Sequence, residues 1–375
     1  NYAMFLGIRL HPSRRTRIAA GVLQMKIGVA GAGLLGRLLA YVLSRQGHEL
    51  SVFDPASGPD ARGAAGWTAA GMLSPTAELE SADINVFNHG LRSIERWAEI
   101  IPALQRHASF DRAGSLLLAH RHDVGAARRM IDLLMQKAPE GHRPQALPMQ
   151  ELARLEPDIQ GPSQAWLLPH EGHLNTVEAM EALYASAKAV HWHWNSRVTS
   201  LSAHTLHTSS QDYRFDWVFD VRGTGARGDA PPGPDKLLSC RNVRGVRGEI
   251  FWLHAPNVQL HRPIRLLHPR HRVYMVPRSG NVIVVGASEL ESEDRSPVSL
   301  RSTVELLAAA HSVMPALAEA RVVHSETNLR PALIDNLPRI EHETGLTRIN
   351  GLFRHGWLIA PALVDDALAE LNFEA

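Results

Sequence analysis

The sequence predicts an α/β fold whose first domain is assembled from separated stretches of chain. Three glycine-marked strand ends carry this expectation: Ile27 to Gly36, Asp216 to Ala226, and Asn350 to Asp365. At each, an apolar run of strand length enters a turn of small residues, and after the first and third the apolar residues take up helical spacing. The length of 375 residues, at about 150 residues per domain, allows two to three domains.

Composition narrows the functional classes. An apolar fraction of 45% and a charged fraction of 21% suffice for a full core without disulfides. The net charge of +1 gives no basic field for nucleic acid, so no nucleic-acid partner is expected. A single cysteine, Cys240, excludes an internal disulfide and a cysteine metal cage, so redox chemistry must come from a cofactor. No apolar run approaches the roughly 18 to 20 residues that cross a bilayer, so no membrane partner is expected. Residues 1–24 lack the apolar run and cleavage site of a signal peptide. They are read as an N-terminal extension, and the protein is expected in the cytoplasm.

The first element is the most informative. Residues 27 to 54 read as strand, tight turn, helix and strand, with Leu35, Leu38, Leu39, Val42 and Leu43 forming the helix face on the sheet and Gly47 ending the helix. Gly31 allows the sharp turn, Gly33 lets backbone approach a pyrophosphate, and Gly36 lets the helix pack closely on the strand. Free amides at the helix start, around Leu34 and Leu35, face the anion. Asp54, closing the second strand, can accept hydrogen bonds from ribose hydroxyls. The cofactor is therefore a dinucleotide, and this segment alone does not separate NAD from FAD.

The following elements favour the flavin. After Asp54 come small, flexible residues through Glu80, where an NAD-binding fold would start its next strand and helix. The strand from Asp216 enters the glycine turn of Gly223 and Gly225, which suits backbone pressed against the same nucleotide. At the C-terminus, Gly351 to Asp365 join a strand to a helix, with Pro361 expected in its first turn.

Taken together, MKIGVAGAGLLG, WTAAGMLSPTAE, EGHLNT, DVRGTGARG, RNVRGVRGE, VYMVPR, VVGASELESEDRSP, TNLRPALIDNLPRIE and GLFRHGWLIAPALVDD resemble the D-amino-acid oxidase superfamily of FAD enzymes. Within it they are most similar to glycine oxidases of the thiamine-pathway (ThiO) type, from Met25 onward. The resemblance implies an FAD-binding Rossmann-like domain of the D-amino-acid oxidase type with an interleaved α+β substrate domain. Residues 25–110, 170–235 and 325–375 are assigned to the first, 111–169 and 236–324 to the second.

By the resemblance, Arg330 in the LRP motif pairs with the substrate carboxylate, which a planar guanidinium can grip with two parallel hydrogen bonds. Tyr274 assists it, or is a half-buried strand tyrosine. Arg354 lies near flavin and substrate, where its charge or carbonyl positions the amine, or it is bonded to backbone on the approach to a helix. Thr68, Ala69, Ala70, Gly71 and Met72 match the loop against the isoalloxazine ring. Val198, on an expected strand from His191 to Ser200, matches a backbone contact to the adenine side, or is plain core. Gly351, His355, Gly356, Trp357 and Leu358 complete the expected flavin contacts. Glu289 departs from a methionine near the substrate in the Gram-positive enzymes.

The implied reaction is oxidation of glycine, and of sarcosine or small D-amino acids, by hydride transfer to flavin N5. Imine or glyoxylate, ammonia and hydrogen peroxide would result, with a small amino acid and molecular oxygen as partners and the imine feeding thiazole synthesis. A homo-oligomer is left open. A secondary-amine oxidase or dehydrogenase, and a non-catalytic flavoprotein partner, are the competing readings. Other conspicuous residues are read plainly: His191 and His193 share a strand face without a third ligand, so no metal is expected; His268 to Arg272 form a solvated loop or line substrate access; Asp123 to Met135 and Arg301 to Met314 are core-facing helices; Cys240 is inert.

Overall fold

A computed structural model describes residues 24–227, 239–268 and 272–371. Of the expected terminal extension only Gln24 falls among them, and residues 269–271 of the expected loop lie outside.

Among the described residues, a six-stranded sheet runs in the order Arg339–Glu343, Leu346–Asn350, Trp217–Asp220, Lys26–Ala30, Glu49–Phe53, Val190–His193. All neighbours are parallel except the outer pair Arg339–Glu343 and Leu346–Asn350. The central strand is buried on both faces at Ile27, Val29 and Ala30, as a parallel strand covered on both sides must be. Helix Leu34–Arg45 follows it, burying Leu35, Leu38, Leu39 and Leu43 while Val42 is half-buried against the same core. Gln46 caps that helix and Gly47 leaves it at φ +87°. Helices Thr176–Ser186 and Gly356–Glu370 pack beside it.

An eight-stranded sheet forms the second layer, ordered Arg321–Ala332, Arg244–His254, Val282–Gly286, Arg272–Arg278, Ile264–Leu267, Ser115–Ala119, Gln164–Leu168, Gln145–Leu147. Its register sets Gly248 opposite Asn328, Val246 opposite Arg330, and Tyr274 opposite Gly286. The helices expected around Asp123 to Met135 and Arg301 to Met314 are Val124–Lys137 and Leu300–Val313, both with apolar buried faces.

Two local expectations are corrected. The strand expected from His191 to Ser200 is two strands, Val190–His193 in the main sheet and Val198–Ser202 in a three-stranded antiparallel sheet. Asn195, at φ +53°, turns the chain so that its own N–H and that of Ser196 donate to the carbonyls of Ala56 and Asp54, at 2.8 and 2.9 Å. Alternating polarity across that stretch hid a bond to a distant loop. Pro361 is the sixth residue of helix Gly356–Glu370 and not in its first turn. A proline there cannot donate to the carbonyl of Trp357. That carbonyl instead accepts the indole N–H of Trp97 at 2.8 Å, and the next amide, Ala362, donates to Ser93 Oγ at 3.1 Å.

Candidate active site

A cavity of about 680 Å3 lies between the two layers. Its nucleotide end is built by the first glycine turn. Gly31 adopts φ +105° and donates to the Phe53 carbonyl at 2.8 Å, and a Cβ there would stand 2.7 Å from the Val221 carbonyl oxygen. A Cβ on Gly36 would meet the Gly31 carbonyl oxygen at 1.9 Å, so the helix can sit this close to the turn only as glycine. No side chain caps the helix at Gly33, which leaves the first-turn amides to a ligand. Gly33, Leu34 and Leu35 line the cavity; Gly36 stands behind them.

Asp54 lines the same end, and its oxygens accept from the amides of Ala32 (2.7 Å) and Ala56 (2.8 Å), fixing both turns. Opposite it, Val198, Gly223 and Gly225 share a wall. Arg222 ties that wall together, forked onto Asp220 and donating to the Val198 carbonyl at 3.0 Å. Sequence reasoning missed Arg37, one residue past the glycine turn. It is buried, donates to the carbonyls of Ala32, Met180 and Pro59, and lies over the Trp67 ring at 5.0 Å. Burial lowers its pKa to about 10. Its place directly after Gly36 was the only available signal.

The loop Thr68 to Met72 lines the middle of the cavity. Thr68 Oγ1 donates to Glu326 at 2.6 Å and accepts from Asn328 at 3.0 Å. Gly71, at φ +88°, approaches Leu174 so closely that a Cβ would lie 2.0 Å from its carbonyl oxygen. The Ala69 carbonyl accepts from Arg278 Nη2 and from Thr176 Oγ1, each at 2.9 Å. Arg278 was visible only as the last letter of VYMVPR, and burial lowers its pKa to about 10. His355, Gly356, Trp357 and Leu358 close this region from the C-terminal side. Gly351 is not on the wall: at φ +79° it makes the turn, and a Cβ would lie 2.6 Å from Leu333.

Arg330 and Tyr274 stand together at the far end. Arg330 Nη1 donates to the carbonyls of Ser288 (3.0 Å) and Arg247 (3.3 Å), and among the described residues no carboxylate pairs with it. Burial raises the Tyr274 hydroxyl above its ordinary value, opposed by the adjacent positive charge of Arg330. Two glycines make the room. A Cβ on Gly248 would lie 2.6 Å from the Arg330 guanidinium, and one on Gly286 would lie 2.7 Å from the Tyr274 hydroxyl.

Arg354 differs from its expected state, because its charge is already matched. Its Nε and Nη2 both reach Glu78 Oε2 at 2.8 Å, Nη2 also donates to Ser81, and Nη1 meets Glu289 at 3.4 Å. Arg265 holds the other Glu78 oxygen at 2.7 Å, and His355 Nδ1 lies 3.2 Å from Oε2. Burial by itself would raise the Glu78 carboxyl, but Arg265 and His355 hold it below the usual carboxylate range. Burial lowers the His355 imidazole, and the neighbouring Glu78 carboxylate opposes that shift. His355 thus lines the cavity beside this ion cluster. Near it, Glu171 accepts from the Ala77 amide at 2.9 Å and from Ser115, and burial raises it to about 7.

A pKa raised on folding contributes stability below the unfolded value of 4.5 that is lost as pH rises to about 7. Glu171→Gln keeps an acceptor for Ala77 and removes the ionisation. Its stability relative to the unsubstituted chain should therefore climb between pH 4.5 and 7 by up to roughly 3 kcal/mol. Denaturant unfolding across that range checks this; parallel pH curves would refute it.

Residues 26–371 match the family model described as FAD dependent oxidoreductase. The chain belongs to that family. A Rhizobium etli protein provisionally named thiamine biosynthesis oxidoreductase ThiO is 35% identical over 351 residues, covering 93% of this chain and 97% of that one. A glycine oxidase from Geobacillus kaustophilus is 25% identical, covering 89% of each chain. The crystal structure of glycine oxidase from that organism superposes with a TM-score of 0.77 at 23% identity, covering 92% of this chain and 95% of the other. The corresponding Bacillus cereus structure gives 0.79 at 20% identity, covering 94% and 96%.

This oxidoreductase is thus FAD-dependent and of the glycine oxidase and ThiO type. Its residues fit the cofactor: an uncapped helix start for the pyrophosphate, a carboxylate at the end of the second strand, and turns at Gly31 and Gly71 that a Cβ would fill. Among the described residues no group of three or more His, Cys, Asp or Glu is placed to hold a metal ion. His193 stacks on Phe53 at 4.2 Å, and burial pushes the Cys240 thiol well up. No described helix is long and apolar enough to cross a membrane.

Proposed function

We propose that this chain oxidises glycine to the imine, which hydrolyses to glyoxylate and ammonia, and extends to sarcosine, whose N-methylimine releases methylamine, or to small D-amino acids, whose imines release the matching 2-oxo acids. The observation that carries the reading is Arg330: a guanidinium on the cavity wall, held by two backbone carbonyls beside Tyr274, with no carboxylate of its own among the described residues. A substrate carboxylate completes it with two charge-assisted hydrogen bonds. The small side chains of Ala69, Ala70 and Gly71 leave the reacting Cα–H unobstructed. FAD, held by the Gly31–Leu35 turn and the Thr68 to Met72 loop, would supply the hydride acceptor and the route of the electrons to molecular oxygen as hydrogen peroxide. No side chain is then needed as a base at carbon. Similarity to the Rhizobium etli protein supports a place in thiamine biosynthesis; supply of the imine to its thiazole part, in the cytoplasm, is part of the same proposal. The division into residues 25–110, 170–235 and 325–375 against 111–169 and 236–324 belongs to the same reading.

Anaerobic addition of glycine should bleach the bound flavin, and oxygen should restore it with release of peroxide. A panel of glycine, sarcosine, D-alanine and D-proline ranks the substrates. Flavin that stays oxidised under every amine would end the proposal.

A second expectation concerns Gly248. The atoms that an added methyl would strike belong to the mobile end of Arg330, so Gly248→Ala should move the guanidinium without opening the sheet. Acetate binding should weaken about tenfold, equivalent to about 1.4 kcal/mol, while the melting temperature stays nearly unchanged. Titration of flavin absorbance with acetate reads the first and calorimetry the second. Unweakened acetate binding would show that Arg330 does not depend on this space.

A further inference from the structure

We propose that Glu289 is a specificity-determining residue: it occupies, from within the chain, a second anion position beside the carboxylate site, so the cavity takes monocarboxylates in preference to dicarboxylates. The inference rests on the reading that Arg330 holds a substrate carboxylate.

Glu289 follows Ser288, whose carbonyl accepts from Arg330 at 3.0 Å, so its side chain leaves the backbone one residue from the proposed carboxylate grip. Both Glu289 and Arg330 line the cavity, as does Arg354. Arg354 commits Nε and Nη2 to the nearly buried Glu78 at 2.8 Å. Its Nη1 meets Glu289 at 3.4 Å, on the side where the glutamate is 43% exposed. This is the longer and wetter contact of the arginine.

The local charges explain its effect. Arg265, Arg272 and Arg354 contribute three positive charges, and Glu78, Glu80 and Glu289 three negative ones. With Glu289 present the cluster is balanced, and an incoming second carboxylate meets a like charge. Without it, Arg354 Nη1 becomes an unmatched donor on the cavity wall, able to accept the far carboxylate of a dicarboxylic ligand.

The test uses the FAD-loaded enzyme and unreactive acids, so that no turnover is required. Dissociation constants for acetate, malonate, succinate and glutarate are read from flavin absorbance in the unsubstituted protein, Glu289→Gln and Glu289→Asp. The unsubstituted enzyme should bind acetate at least as tightly as any dicarboxylate. Glu289→Gln should raise the affinity for at least one dicarboxylate, relative to acetate, about tenfold, and the chain length that gains most measures the span between Arg330 and Arg354. Glu289→Asp, which keeps the charge, should retain the original preference. An unchanged ratio in Glu289→Gln, or an equal gain in Glu289→Asp, overturns the proposal. Glycine turnover measured alongside keeps the two readings apart: its absence removes the proposed function while the acid ratios still decide Glu289. Failure of every acid to bind removes both.

Discussion

Arg330→Ala lowers kcat/KM for glycine by about a thousandfold in a peroxide-coupled assay, with little change in melting temperature. The size follows from what the truncation leaves behind. Removing one partner of a buried, hydrogen-bonded charge pair costs about 2 to 5 kcal/mol, because the other charge stays desolvated and unmatched. At tenfold per about 1.4 kcal/mol, the middle of that range is a few hundredfold to a thousandfold in rate. Orientation is lost as well, since a carboxylate no longer gripped at two points cannot hold the Cα–H in line. The fold is spared because, among the described residues, Arg330 donates to backbone carbonyls and to no carboxylate, so its removal strands no buried carboxylate. Arg330→Lys separates charge from geometry. It retains the cation but not the planar fork, and should lose roughly ten- to a hundredfold. Unchanged catalytic efficiency in Arg330→Ala would transfer the carboxylate to another arginine and with it most of the proposed chemistry.

The features legible in the sequence share one property: their requirement is local. Gly31, Gly36 and Asp54 are fixed by a turn whose geometry closes within thirty residues of chain, and helix Leu34–Arg45 announces itself by period. The ion cluster was not legible, because Glu78 meets Arg265 across 187 residues and Arg354 across 276. An arginine in FRHG reads the same whether its charge is free for a ligand or already matched, and only the fold decides. Pro361 misled for a related reason. A proline deep in a helix is costly unless the abandoned carbonyl finds a donor, and that donor, the indole of Trp97, comes from a helix 260 residues earlier. The break at Asn195 had the same origin, since it exists to bond the loop after Asp54. Arg278 went unread because what makes it important, the carbonyl of Ala69, is visible only once the two sheets are laid together.

Gly36→Ala should yield protein without flavin colour and with a melting temperature lower by roughly 2 to 4 °C. Two principles oppose each other at this position, which makes the outcome informative. By helix propensity, alanine in the first turn of Leu34–Arg45 should stabilise by up to about 1 kcal/mol. By packing, its Cβ would stand 1.9 Å from the Gly31 carbonyl oxygen and 2.9 Å from the carbonyl carbon, and those atoms belong to the backbone and not to the loose end of a side chain. The clash therefore cannot be relieved by a rotamer change. Either the helix withdraws from the strand or the turn opens, and both spoil the approach of backbone amides to the pyrophosphate. Overpacking of a rigid contact costs about 1 to 3 kcal/mol, and a separation this short falls at the upper end, outweighing propensity. Gly33→Ala is the matched control. Its Cβ would sit 3.4 Å from Ala64 Cβ, close to an ordinary contact, so the apoprotein should fold normally while the methyl intrudes on the cofactor side. Flavin absorbance per protein and calorimetry of both variants without cofactor distinguish the cases. A Gly36→Ala protein that is fully yellow and melts normally would mean that helix and turn are not packed as tightly as these distances require.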